Sequence, residues 1–165
     1  MQHKRLDTMQ CPIARSLERV GEWWSILIIR DCVHGLRRFD EFEKSLGISP
    51  NILTRRLTGL VEAGLLERRQ YSERPPRFEY VLTERGEDFR PVLAALLTWG
   101  NKHFAPEGAS VVFGNRETGQ IADPVMVDRI SGRPLSDPVF STAPGPAAEG
   151  DVLERHLRLL NSGIG

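Results

Sequence analysis

Ile48-Ser49-Pro50-Asn51-Ile52-Leu53-Thr54-Arg55-Arg56-Leu57-Thr58-Gly59-Leu60-Val61-Glu62-Ala63-Gly64 runs directly into Leu65 and then Leu66 to Leu82, and this stretch decides the fold. Ser49 carries the short side-chain oxygen of an N-cap, and Pro50 follows where a missing N–H costs nothing. Ile52, Leu53, Leu57, Leu60 and Val61 recur at helical spacing, with Asn51, Thr54, Arg55 and Thr58 largely on the other side. Gly64 suits the positive φ that ends a helix. Leu66 to Tyr71 and Arg77 to Leu82 read as two strands, with Phe78, Tyr80 and Leu82 on one face. Ser72-Glu73-Arg74-Pro75-Pro76 lies between them as a loop, because neither proline can donate to a ladder.

A polar helix face beside a protruding arginine loop is the surface of a winged helix. The helix enters the DNA major groove, and the wing follows the backbone or reaches the minor groove. The plainer reading is a small α+β domain with a solvated charged face.

The whole chain, at 165 residues, has room for one domain or one domain with an extension. Its formal net charge is zero, so the molecule is not a polycation. Lys and Arg outnumber Asp and Glu by 17 to 14 over residues 1–105 and are outnumbered 5 to 8 over residues 106–165, which suits a DNA-facing part followed by an acidic tail. No apolar run approaches the roughly 20 residues of a membrane span. No signal peptide is visible. With two cysteines there is no disulfide framework, and the cytoplasm is the expected setting.

Cys11-Pro12 opens a first helix, closed by Gly21. Trp23 to Val33 is apolar nearly all round, the pattern of a central core helix. Asp40 to Leu46 is a short third helix, with Asp40, Glu41 and Glu43 suiting its dipole. Gly47 separates it from the helix at Pro50, which makes a helix-turn-helix: the third helix braces and the fourth reads. After the hairpin, Thr83 caps a fifth helix running to about Phe104, striped by Phe89, Val92, Leu93, Leu96 and Leu97. A helix this long outside so small a domain predicts pairing with its twin in a dimer; the alternative is packing on its own domain. Ser110 to Phe113, Ile121 to Val127 and Leu135 to Phe140 read as short strands, and Asp151 to Leu160 as a last helix. No internal repeat stands out. The expected organisation is α+β, a winged helix-turn-helix domain with a long dimerisation helix over 1–105 and a short β-rich extension over 106–165.

Several runs resemble the HxlR-type winged-helix transcriptional regulators. They are Cys11-Pro12-Ile13, Gly21 with Trp24, Ile29-Arg30-Asp31, Gly35-Leu36-Arg37-Arg38-Phe39, Ile48 to Leu57, Leu60 to Leu65, Pro75 to Tyr80 and Leu82-Thr83-Glu84-Arg85-Gly86. Together they cover about residues 10–100 in order. The resemblance implies a homodimer, binding to operator DNA and control of nearby genes. The tail resembles an extension of some members, which can carry a pair of Cys-x-x-Cys-like knuckles. Here Val127 to Leu135 has no cysteine and the tail holds only His156, whereas a structural zinc takes about four Cys or His ligands. No zinc or other cofactor is expected.

Asn51, Thr54 and Arg55 are the first candidates for the groove. Arg55 suits a guanine and Asn51 an adenine, each worth about 1–3 kcal/mol of discrimination. Thr54 equally suits a phosphate. Ser49 and Arg56 belong to the same candidate set, although Arg56 could instead bond across the helix or to Glu62. Arg74 and Arg77 flank the wing tip, where backbone or minor-groove contact is favoured, with Glu79 or Glu73 as the alternative partner of Arg77. Arg37 and Arg38 are candidate phosphate clamps, one of them alternatively a partner of Asp31. Cys11, at a helix N-terminus with Arg15 near in sequence, has the setting of a reactive thiolate. In some members of the resembled family a cysteine at this place senses electrophiles or oxidants; the plainer role is a small apolar cap. Cys32 reads as packing, and His34 sits at a poor spacing from it for a shared metal.

No glycine-rich phosphate loop, HExxH pair or nucleophile elbow is present. A Cys11–His3 or Cys11–His103 dyad is the sole catalytic arrangement left, and no enzyme is expected. The leading reading is a dimeric, cytoplasmic, sequence-specific DNA-binding regulator with no membrane partner. Its switch is thiol chemistry at Cys11 or a small organic effector in a dimer-interface pocket. The alternative is a winged-helix scaffold for protein interaction that lacks specific DNA binding.

Overall fold

The computed structural model describes residues 6–161. His3 and the catalytic dyad that would use it lie outside them. In chain order the elements are α1 (Pro12–Val20), α2 (Trp23–Val33), α3 (Phe39–Leu46), α4 (Pro50–Glu62), β1 (Leu66–Glu73), β2 (Pro76–Leu82), α5 (Glu84–Glu87), α6 (Arg90–Phe104) and α7 (Gly150–Asn161). Two compact units form: Ser16–Leu93, and a second made of residues up to Arg15 together with those from Ala94 on.

Local chemistry sets the boundaries inside Ser16–Leu93. The Glu41 carboxylate accepts the N–H groups of Arg37 and Arg38, at 2.8 and 2.9 Å, and so ties down the start of α3. Gly47 stops α3 with a φ of 62°. Ser49 Oγ accepts the Ile52 N–H at 3.4 Å, with Pro50 first in α4. The Thr83 hydroxyl donates to the Gly64 carbonyl at 2.6 Å and accepts the Gly86 N–H at 3.2 Å, which joins the end of α4 to the start of α5.

The core of this unit is Ile28 and Ile29 of α2, Phe42 of α3, Leu53, Leu57 and Leu60 of α4, and Leu66 of β1, all essentially fully buried. Each such side chain contributes about 1.5–3 kcal/mol on leaving water. They bind the helix-turn-helix to the hairpin. Trp23 is an exception to the expected all-round burial of α2: it is 73% exposed.

β1 and β2 pair antiparallel from Leu66↔Leu82 to Glu73↔Pro76, leaving only Arg74-Pro75 unpaired at the tip. The strands are thus longer than the alternation suggested. Pro76 opens β2 at a position that needs no donor. The register slips between Gln70 and Ser72, so Tyr71 is the extra residue of a bulge.

The fifth helix expected from Thr83 to Phe104 is two helices, with a break at Asp88-Phe89. Pro91 accounts for it: the ring lacks the N–H and would meet the carbonyl of the preceding turn if the helix continued. Phe89 and Leu93 pack on the core. No residue of α6 is buried, and Val92, Leu96 and Trp99 are exposed along it.

The second unit contains a feature the sequence reading missed. Where short strands were expected, the extension forms two hairpins, each closed by a single bridge, Gly114↔Ile121 and Val127↔Pro134. They are the same structure twice. Asn115 and Asp128 correspond, as do Thr118 and Ser131, and Gly119 and Gly132. Asn115 Oδ1 accepts the N–H groups of Glu117 and Thr118; the Asp128 carboxylate accepts those of Ile130 and Ser131. The Gly119 N–H reaches the Asn115 carbonyl at 2.8 Å, and that of Gly132 reaches Asp128 at 2.7 Å. Both glycines have positive φ, 73° and 71°. These turns do not fit zinc: they offer amide, carboxylate and hydroxyl oxygens already engaged with backbone N–H groups, and none of the Cys or His ligands that a structural zinc takes.

Candidate nucleic-acid interface

α4 divides cleanly between its two faces. Leu53, Leu57 and Leu60 are buried, whereas Asn51, Thr54, Arg55 and Thr58 are exposed, as is the capping residue Ser49. A helix held by one stripe and carrying amide, hydroxyl and guanidinium groups on the other can offer hydrogen bonds to base edges. The wing adds Arg74 and Arg77, both exposed beside its tip.

Arg56 departs from the expectation that grouped it with the groove residues. Its side chain is only 15% exposed, and its guanidinium pairs with Glu22 at 2.7 Å rather than with Glu62. One step along a helix turns a side chain by about 100°, enough to carry Arg56 from the outer face to the flank.

Neither Arg37 nor Arg38 partners Asp31. Arg30 does, through two bonds to Asp31 Oδ1 at 2.9 and 2.7 Å. Arg37 is exposed, and its carbonyl accepts the Tyr80 N–H at 2.7 Å. Arg38 lies against the wing: its guanidinium sits 5.3 Å from the centroid of the Tyr71 ring, and Nε donates to the Tyr71 hydroxyl at 3.3 Å. Arg38, Asp40, Tyr71 and Arg77 line a groove of about 390 Å³ between the start of α3 and the wing. On the hairpin, Arg68 stacks over Phe78 at 3.4 Å from its centroid. Sequence reading gave neither Tyr71 nor Arg68 a role at this surface. The one available signal was the diagonal pairing of Arg68 with Phe78, legible only once the strand register is known.

Cys11 occupies the N-cap place of α1, its carbonyl accepting the Arg15 N–H at 3.1 Å. The backbone N–H of Ala14 is the largest influence on its thiol and, with that of Ile13 and with Arg155 of α7, holds it below the ordinary cysteine range against the opposing effect of desolvation. Arg15, the expected basic neighbour, instead donates to the Met9 carbonyl. Cys32 is the opposite case, pushed up to about 12 by burial and by the adjacent Asp31. Among the described residues no group of three or more His, Cys, Asp or Glu is placed to hold a metal ion, and no helix is long and apolar enough to cross a membrane.

This arrangement of helix-turn-helix and arginine-bearing hairpin is that of a winged-helix transcriptional regulator. The model of the HxlR-like helix-turn-helix family matches residues 19–108. A solved transcription-factor structure, PA1374 from Pseudomonas aeruginosa, is 56% identical, covers 88% of this chain and 99% of its own, and superposes with a TM-score of 0.64. The HTH-type transcriptional regulator Rv3095 of Mycobacterium tuberculosis is 38% identical over 81% of this chain and 85% of its own length. The reduced form of the redox regulator HypR is 32% identical, covers 56% of this chain and 92% of its own, and has a TM-score of 0.51. The chain belongs to the HxlR-like helix-turn-helix family of transcriptional regulators.

Proposed function

We propose that the protein is a homodimeric, sequence-specific DNA-binding regulator that works in the cytoplasm, with residues 1–105 for DNA and pairing and residues 106–165 as an extension. The observation that carries this is the exposed Asn51, Thr54 and Arg55 opposite the buried Leu53, Leu57 and Leu60. Arg55 and Asn51 read bases. Ser49, Thr54, Arg37 and Arg38 hold phosphates, and Arg74 and Arg77 follow the backbone or minor groove. Pairing is supported by Val92, Leu96 and Trp99, large apolar side chains left exposed along α6. Cys11 supplies the switch. Its support is the lowered thiol and the likeness to a redox regulator, and the competing switch is a small organic effector at the dimer interface.

The experiment is a titration on DNA from upstream of the protein's own gene and on random DNA, at several salt concentrations. The proposal expects tighter binding to the upstream fragment. Arg55→Ala should erode that preference by about 1–3 kcal/mol, while Arg74→Ala should weaken both fragments alike and reduce the salt slope by about 1. Equal, weak binding to the two fragments would favour a protein-interaction scaffold.

A further inference from the structure

A polar cleft of about 480 Å³ runs along the flank of α4 that carries Arg55, Gly59 and Glu62, facing the end of α1 and the start of α2. Arginines 19, 55, 56 and 85 line it, against Glu18, Glu22 and Glu62. Cation is therefore in excess, and one of these cations is incompletely satisfied. Arg56 Nη2 holds Glu22, a partner that is itself 53% exposed, while Arg56 Nε is buried with no hydrogen-bond acceptor. A buried N–H left unpaired is costly, the more so on a charged group.

Gly59 is a second, independent observation. It stands inside α4, where glycine is less favourable than alanine. No positive φ demands it, and a Cβ there would meet nothing within 4 Å. Neither backbone conformation nor packing within the chain accounts for it. Its lack of a side chain leaves the cleft open beside Arg56.

We propose that this cleft binds a small molecule bearing a carboxylate or phosphate oxyanion, held by Arg56 with Arg19 and Arg85 over Gly59, and that occupancy opposes DNA binding. A guanidinium's planar fork matches either oxyanion, and drawing Arg56 onto it gives Nε an acceptor. Arg55 lines the same cleft, so a bound anion competes with DNA for its charge. The regulatory half rests on Arg55 contacting DNA; the binding site does not.

The test is arginine side-chain NMR of the full chain without DNA. The Arg56 Nε–H signal, identified by its loss in Arg56→Gln, is followed during titration with inorganic phosphate or succinate, with chloride as the control at equal ionic strength. A saturating shift with either probe and not with chloride is expected; a larger response to phosphate indicates a phosphorylated ligand, and to succinate an organic acid. Gly59→Leu, which fills the opening with a better helix former, should abolish saturation. An unmoved signal, a chloride response of the same size, or saturation retained in Gly59→Leu overturns the site. So does a signal that moves with protein concentration and not with anion, which assigns the space to a second copy. For control, the same anion should weaken binding to the upstream DNA by about fivefold or more in the parent and leave Gly59→Leu unchanged. Anion binding without that loss keeps the site and overturns the control.

Discussion

Arg38 and Tyr71 join the two parts of the interface: the N-cap residue of α3 donates from Nε to the hydroxyl of the residue bulged out of β1, at 3.3 Å, with its guanidinium over the ring. An exposed cation–π contact of this kind is worth about 0.5–1 kcal/mol. Tyr71→Ala should therefore loosen the outer part of the wing against the start of α3 and weaken DNA binding by about two- to fivefold. Tyr71→Phe, which keeps the ring and loses the hydroxyl, should fall between it and the parent. Anisotropy titrations of the three proteins on one DNA fragment measure this, and equal affinities would refute a role for the pair.

Two glycines in helices should respond to alanine with opposite sign. Gly59→Ala places its Cβ in open space and should raise stability by about 0.5–1 kcal/mol. At Gly86 a Cβ would lie 2.2 Å from the Leu65 carbonyl oxygen and 2.9 Å from Leu82 Cδ2. That clash is with backbone that cannot yield cheaply, and Gly86→Ala should lose about 1–3 kcal/mol or more. Urea unfolding followed by near-ultraviolet circular dichroism reads both.

The twin hairpins should differ in their response to acid. The Ser131 hydroxyl, with the N–H groups of Ser131 and Ile130, holds Asp128 below the usual aspartate range. A depressed folded value means that the contribution to stability is present above the unfolded pKa, about 3.9, and is lost as pH falls through the lower, folded one. Asn115 has no proton to gain. The amide resonances of Ile130 and Ser131 should therefore titrate with a midpoint below that of free aspartate, while that of Thr118, held by the Asn115 amide, should lack this transition. Asp128→Asn should remove the difference.

Alkylation of the native protein should separate the cysteines. Cys11, lowered by the α1 backbone and by Arg155, should label at neutral pH, whereas Cys32, raised to about 12, should stay unmodified until the protein unfolds. Arg155→Ala should slow labelling of Cys11 by less than loss of the helix would, because the backbone N–H of Ala14 is the larger influence. Mass spectrometry after timed iodoacetamide exposure provides the rates. If thiol chemistry is the switch, an electrophile should release DNA from the parent and not from Cys11→Ser.

Much of the reading unit was legible in the sequence because its determinants are local. Ser49, Pro50, Gly47 and Gly64 act within a turn of where they stand, and the stripe of Leu53, Leu57 and Leu60 repeats at the helix's own period. That sufficed to orient Asn51, Thr54 and Arg55 outward. The break before α6 is equally local, written in Pro91. The repeat of Asn115-x-x-Thr118-Gly119 in Asp128-x-x-Ser131-Gly132 is visible too, but only when Asn is equated with Asp and Thr with Ser by the hydrogen bonds they accept.

The sequence alone determined the cap and the apolar stripe of α4 and that a hairpin follows it, since those follow from side chains a few residues apart. Only the tertiary structure decided that Arg56 turns to Glu22, that Arg38 meets a bulged Tyr71 and that Arg155 approaches Cys11. Each of those pairings joins residues distant in the chain, and nothing short of the packed core fixes which distant charges become neighbours.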